Sequence, residues 1–170
     1  LLDAARGMLE AAELVTTPSD KTAVRVRELA PRSHIRVVPN GVDALPSGRP
    51  LPAASGPRIL YVGRIAPEKN LALLEKAFAA IHARHPRARL VMVGGGPALA
   101  ALRSRQPRAV FAGMQTGTAL AEHYASGDLF LFPSLTETYG NVVAEALASG
   151  LPVVAYRDAA ALELVSHDIH

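Results

Sequence analysis

From Pro57 onward, short apolar runs alternate with longer helical stretches, and few architectures accommodate that alternation. The runs cover 59–63, 89–93, 109–112, 128–132 and 152–156, and glycine or proline bounds them. Between and after them, 70–84, 98–106, 118–125, 141–149 and about 160–165 carry helix-forming residues. Apolar strands separated by helices imply a parallel sheet with right-handed crossovers, buried on both sides. The expected fold is therefore α/β, a Rossmann-like three-layer parallel sheet with helices on both faces. At 170 residues the chain is long enough for one such domain and its core.

The stretch before Pro57 reads differently. Residues 1–13 place Leu2, Ala5, Leu9 and Ala12 on one helical stripe, and Leu14–Thr17 is a short strand stopped by Pro18. Ser19 or Asp20 can cap a helix over 21–30 that Pro31 ends. Ile35–Val38 is a second short strand, followed by the tight-turn sequence Pro39-Asn40-Gly41-Val42-Asp43. Between 44 and 57, four prolines and two glycines with two serines have the composition of a linker. We expect 1–45 to be the tail of a preceding domain, 46–56 a linker, and 57–170 a domain cut short at its end. The start, Leu1-Leu2-Asp3, has no initiator methionine and no signal pattern, as expected for part of a longer protein.

Chemistry concentrates where strands end. The first long strand ends in Gly63-Arg64, with Glu68-Lys69 before the next helix. In a parallel α/β sheet ligands bind at the carboxyl ends of strands, beside the point where strand order reverses. Glycine there allows close backbone approach, and Arg64 and Lys69 can clamp a pyrophosphate or stand as solvated surface charges. The next strand leads into Gly94-Gly95-Gly96, where Leu99 stands in place of a third fingerprint glycine and no acid follows the next strand. That argues against a dinucleotide site and for a structural turn. The strand 128–132 leads through Thr136-Glu137-Thr138-Tyr139-Gly140 into a helix beginning Asn141-Val142. Free amides and the helix dipole favour an anion at that end, so Gly140, Asn141 and Val142 can hold a phosphate or a sugar hydroxyl. Glu137 either accepts bonds from sugar hydroxyls or simply favours the dipole. Glu145 lies in an otherwise apolar helix, where a carboxylate facing a core would be costly, so we expect it to face a polar cleft. At ~1.5 Å rise per helical residue the two acids stand roughly 10 Å apart.

Together, Glu137 and Glu145 with seven residues between them, the run from Asn141 to Gly150, and Pro152-Val153-Val154 resemble the Glu-x7-Glu signature of retaining nucleotide-sugar glycosyltransferases of the GT-B fold, group 1 (GT4). Gly63-Arg64-x4-Lys69 resembles that family's diphosphate motif, and Pro-Asn-Gly-Val-Asp its crossing between domains. The resemblance covers roughly 36–168. It implies one half of a GT-B fold that binds a nucleotide diphosphate sugar and transfers a hexosyl group with retention to an acceptor held by the other half. It implies that Arg64, Lys69 and Glu137 are catalytic, with the two cations neutralising the donor phosphates in place of a metal. It also puts Gly63, Gly94, Gly95, Gly96, Thr138, Tyr139, Gly140, Asn141, Val142 and Glu145 in contact with the donor, Glu137 at the sugar and Glu145 at the ribose. The sequence departs from the family where Ala159-Ala160-Ala161 stand in place of a Gly-Gly pair, which weakens the case for close backbone contact there.

Other classes find less support. A net charge of +3 with 5% aromatics and no long basic cluster does not suggest a nucleic-acid partner. Without cysteine there is no disulfide framework or thiol nucleophile, which suits a cytoplasmic protein, and peripheral contact with the inner face of a membrane would come through the missing half. His82 and His85 lack a third ligand nearby, so no metal site is expected. His123 either approaches the cleft or sits on the surface of its helix, and no serine has a nucleophile-elbow setting. A sugar-nucleotide epimerase, a phosphorylase or a non-catalytic nucleotide-binding module are the alternatives. The fragment alone is expected to bind nucleotide weakly and catalyse nothing, since the acceptor must be oriented against the donor. No residue distinguishes UDP, GDP or ADP, and the acceptor is unspecified.

Overall fold

A computed structural model of the chain describes residues 1–42, 48–157 and 159–165, so the expected boundary at 45/46 lies outside the described residues. The N-terminal segment forms α1 (Leu2–Ala11), β1 (Val15–Thr17), α2 (Asp20–Leu29) and β2 (Ile35–Val37), with β1 and β2 paired in parallel as a separate two-stranded sheet. Ser19 opens α2, its side chain accepting from the Thr22 amide as an N-cap should.

The rest alternates as expected: β3 (Arg58–Val62), α3 (Leu71–Arg84), β4 (Arg89–Val93), α4 (Leu99–Arg105), β5 (Val110–Gly113), α5 (Gly117–Ser126), β6 (Leu129–Phe132), α6 (Asn141–Ala148), β7 (Val153–Ala155) and α7 (Ala159–Leu164). The five strands form one parallel sheet in the order β5-β4-β3-β6-β7. Right-handed crossovers put α3 and α4 on one face and α6 on the other. The central strands are buried almost throughout, which their continuous Val, Leu and Phe runs require, while β5 and β7 at the edges are more open. Tyr61, Leu74, Leu90, Met92, Leu102, Tyr124 and Phe130 are fully buried, and the Phe130 ring packs against Phe132 with centroids 5.7 Å apart. Helices dock through short apolar stripes: Leu71, Leu74 and Phe78 on α3, and Val143, Ala144 and Ala146 on α6.

The chain leaves β3 toward β4 and leaves β6 toward β7, in opposite directions from neighbouring strands. The loops after β3 and β6 therefore diverge, and a crevice opens between them at the carboxyl edge of the sheet. At the opposite edge, the proline-rich stretch is tied down. The Leu51 amide donates to Ser126 Oγ at 2.7 Å, and the Arg58 guanidinium donates to the Pro52 carbonyl and, at 3.5 Å, to that of Leu51.

Candidate functional site

The loop after β3 runs from Gly63 through a 3₁₀ turn at Pro67–Lys69 that the sequence did not announce, and Asn70 at φ 53° ends it. Two contacts brace it. The Tyr61 hydroxyl donates to the Arg64 carbonyl at 2.9 Å, and Asn70 Nδ2 donates to the Pro133 carbonyl at 3.2 Å, tying this loop to the one after β6. Burial, then the carboxylates of Glu137 and Glu68, push the Tyr61 phenol far above its ordinary range, so it stays a proton donor.

The loop after β6 carries Glu137 to Lys69. Lys69 Nζ donates to Glu137 Oε1 at 2.5 Å, and both side chains are mostly buried, at 14% and 16% exposure. A pair so shielded from water is weakly screened, and removing one partner leaves the other charge poorly solvated. Arg64 is paired with Glu68, whose carboxyl is held below the usual range by its own backbone amide and by Arg64. Gly140 opens α6 with no side-chain cap, leaving its first amides for a ligand.

Gly63, Arg64, Lys69, Glu137, Thr138, Tyr139, Gly140, Asn141 and Val142 line one cleft of about 370 Å³, with Phe132 at its floor. Nine of the expected residues thus come together at the switch point. Gly94, Gly95, Gly96 and Glu145 do not line that cleft. The glycine run crosses the loop after β3: the Ile65 amide donates to the Gly95 carbonyl at 2.8 Å, and the Ala98 amide donates to the Ile65 carbonyl at 3.0 Å. A Cβ on Gly94 would overlap the Gly63 carbonyl oxygen, and one on Gly96 that of Ile65. The expected structural turn is this backbone crossing.

Glu145, half-buried on α6, accepts the Tyr124 hydroxyl at 2.7 Å through Oε2. Burial and the Glu145 carboxylate push the Tyr124 phenol well up, which keeps it the donor. Sequence reasoning found no partner for Glu145, because α5 meets α6 only through the sheet order. It also missed Asn40, which lines the cleft from the N-terminal segment and whose Nδ2 donates to Asn141 Oδ1 at 2.9 Å. The tight-turn sequence around Asn40 was the one available signal. His123 does not approach the cleft. It lines a smaller cavity of about 220 Å³ at the opposite end of the sheet, with Leu51, Arg58 and Arg89. Its helix runs from the β5 side back toward the start of β6, which carries His123 to the amino edge. Residues 159–164 form α7 with Ala161 buried against the core.

Among the described residues, no group of three or more His, Asp or Glu side chains is arranged to hold a metal ion, and no helix is long and apolar enough to cross a membrane.

The chain matches the family model for glycosyl transferases group 1 over residues 56–170. It is 43% identical over 114 residues to the sulfoquinovosyl transferase SQD2 of Arabidopsis thaliana, covering 66% of this chain and 22% of that one. It is 46% identical over 110 residues to a GDP-mannose-dependent alpha-mannosyltransferase of Mycobacterium tuberculosis (strain CDC 1551 / Oshkosh), covering 65% and 26%. Anabaena Alr3699/HepE, solved with UDP and glucose, superposes with a TM-score of 0.82 at 22% identity over 98% of this chain and 50% of that one, a likeness of fold. The chain spans about a quarter of the length of those two relatives.

Proposed function

The chain belongs to the glycosyl transferases of group 1, and from that premise we propose that it is the donor-binding half of a retaining hexosyltransferase of the GT4 type. The observation that carries this reading is the meeting of Lys69 and Glu137, from two different loops, in one cleft beside an uncapped helix N-terminus. A nucleotide diphosphate sugar is hydroxyl-rich at both ends and dianionic in the middle, and the cleft offers Glu137 for sugar hydroxyls beside Lys69 and Arg64 for the diphosphate.

In this reading Arg64 and Lys69 exchange their carboxylate partners for the diphosphate, supplying the positive charge that a divalent cation supplies elsewhere. The amides of Gly140, Asn141 and Val142 donate to a phosphate oxygen or a sugar hydroxyl. Glu137, released by Lys69, accepts from the hexose hydroxyls, with Thr138 and Tyr139 beside it. Gly63 lets the backbone approach the phosphates, the Gly94–Gly96 crossing borders the nucleoside, and Glu145, oriented by Tyr124, takes the ribose hydroxyls. The bond from the anomeric carbon to the phosphate oxygen breaks, and the nucleotide diphosphate leaves with the electron pair. The acceptor oxygen bonds to the same face of the sugar and gives its proton to the departing phosphate. An acceptor held by the rest of the protein completes the reaction, and the named relatives, one GDP-mannose-dependent and one solved with UDP, leave the base open.

Calorimetric titration with UDP, GDP, ADP and their glucose or mannose esters tests this. One base should bind, its sugar ester more tightly, and Glu137→Gln should weaken the ester about tenfold while the bare nucleotide changes less than about threefold. Failure of every nucleotide to bind overturns the reading.

A further inference from the structure

The loop that carries Glu137 is held from outside the five-stranded domain. Ser19, fully buried at the start of α2, donates through Oγ to the Thr138 carbonyl at 2.7 Å, and Thr22 Oγ1 donates to the same oxygen at 3.1 Å. Asn40 Nδ2 donates to Asn141 Oδ1 at 2.9 Å. These partners stand 119, 116 and 101 residues apart in sequence.

The three contacts do more than pack one segment on another. Thr138 follows Glu137 directly, so a carbonyl held by two hydroxyls fixes the Thr138–Tyr139 peptide plane, immediately after the residue that carries the Glu137 carboxylate. Asn141 is the first residue of α6, so Asn40 fixes the other end of the same short loop. Between the two anchors lie only Tyr139, which is buried, and Gly140, which opens the helix. Arg64 is not touched by the N-terminal segment through any of these bonds. The anchors therefore bear first on Glu137 and the α6 amides, and reach the β3 loop only through the Lys69–Glu137 pair.

We propose that Ser19, Thr22 and Asn40 are positioning residues that hold Glu137 and the first α6 amides where the sugar of the donor needs them. The inference rests on the donor-site reading above. It makes the N-terminal segment a determinant of sugar affinity: movement of α2 against the loop would release the hexose contacts while the nucleotide stays bound.

The test uses the 170-residue chain and calorimetry with UDP, UDP-glucose, GDP and GDP-mannose. Ser19 also caps α2, so it is spared, and Thr22→Val and Asn40→Ala are made singly and together. The combined variant should lose about five- to tenfold in affinity for the sugar ester that the wild type binds, with the bare nucleotide unchanged within about twofold. Thr22→Ser, which keeps the hydroxyl, should restore the Thr22 share. Equal losses for ester and bare nucleotide, or no loss for either, overturn the inference and leave the donor site standing. A wild-type chain that binds neither these four nor ADP and its glucose ester overturns the donor-site reading, and this inference falls with it.

Discussion

Gly94 and Gly95 are neighbours with opposite tolerances. Gly94 sits at φ 132° with the Gly63 carbonyl oxygen in the place a Cβ would take, whereas the nearest side-chain atoms to a Cβ on Gly95 are Met114 Cγ and Sδ at 3.7 and 3.8 Å. Gly94→Ala should cost about 2 kcal/mol or more, since both backbone and space refuse the methyl, and Gly95→Ala less than about 1 kcal/mol. Urea unfolding of the two variants checks this, and equal midpoints would show that the crossing relaxes freely. The three glycines were legible as a turn, because glycine clusters after a strand mark one. Which of them the fold demands was not, since that depends on where the backbone of Gly63 and Ile65 passes, thirty residues earlier in the chain. The same limit hid Tyr124 as the partner of Glu145: the carboxylate was conspicuous in its apolar helix, and the phenol that accommodates it was one more aromatic in a core stripe.

Elements were more readable than pairings. Every helix and strand of the five-stranded domain was expected within a residue or two, because apolar periodicity and the Pro and Gly stops are local signals. The 3₁₀ turn at Pro67–Lys69 was invisible, being too short for any period. Helix α5 shows what placement adds. His123 on that helix was a candidate for the cleft, and it lies instead at the far edge beneath the proline-rich stretch. Burial, aided by the Arg58 charge, holds its imidazole below the ordinary value, with Glu122 opposing. Between that lowered value and the ordinary histidine value of about 6.5, the unfolded chain binds a proton that the folded chain does not. Stability from this group is therefore complete above about pH 6.5 and declines as pH falls below it. Urea midpoints at pH 7.5 and 5.5 should drop further for the wild type than for His123→Gln, and parallel drops would remove His123 from the account.

At the scale of the molecule, the two edges of the sheet do different work. The amino edge is crossed by the strap of residues 48–57, held through Arg58 and Ser126, and the carboxyl edge opens into the cleft at the switch point. Among the described residues of that opening, each charged side chain has a partner: Arg64 with Glu68, Lys69 with Glu137. A diphosphate approaching from solution meets a cleft whose positive and negative groups cancel, so little long-range field draws it in. Its encounter rate should then be nearly indifferent to salt, changing less than about threefold between 50 and 500 mM NaCl in stopped-flow mixing with UDP or GDP. Glu68→Gln, which frees Arg64, should make that dependence steep, and a steep dependence already in the wild type would mean that the pairs open before the ligand arrives. Paired cations make the cleft slow to attract and selective in what it retains: among the described residues a passing phosphate finds no unpaired charge, and only a ligand that can satisfy both the displaced cations and the released carboxylate stays long enough to matter.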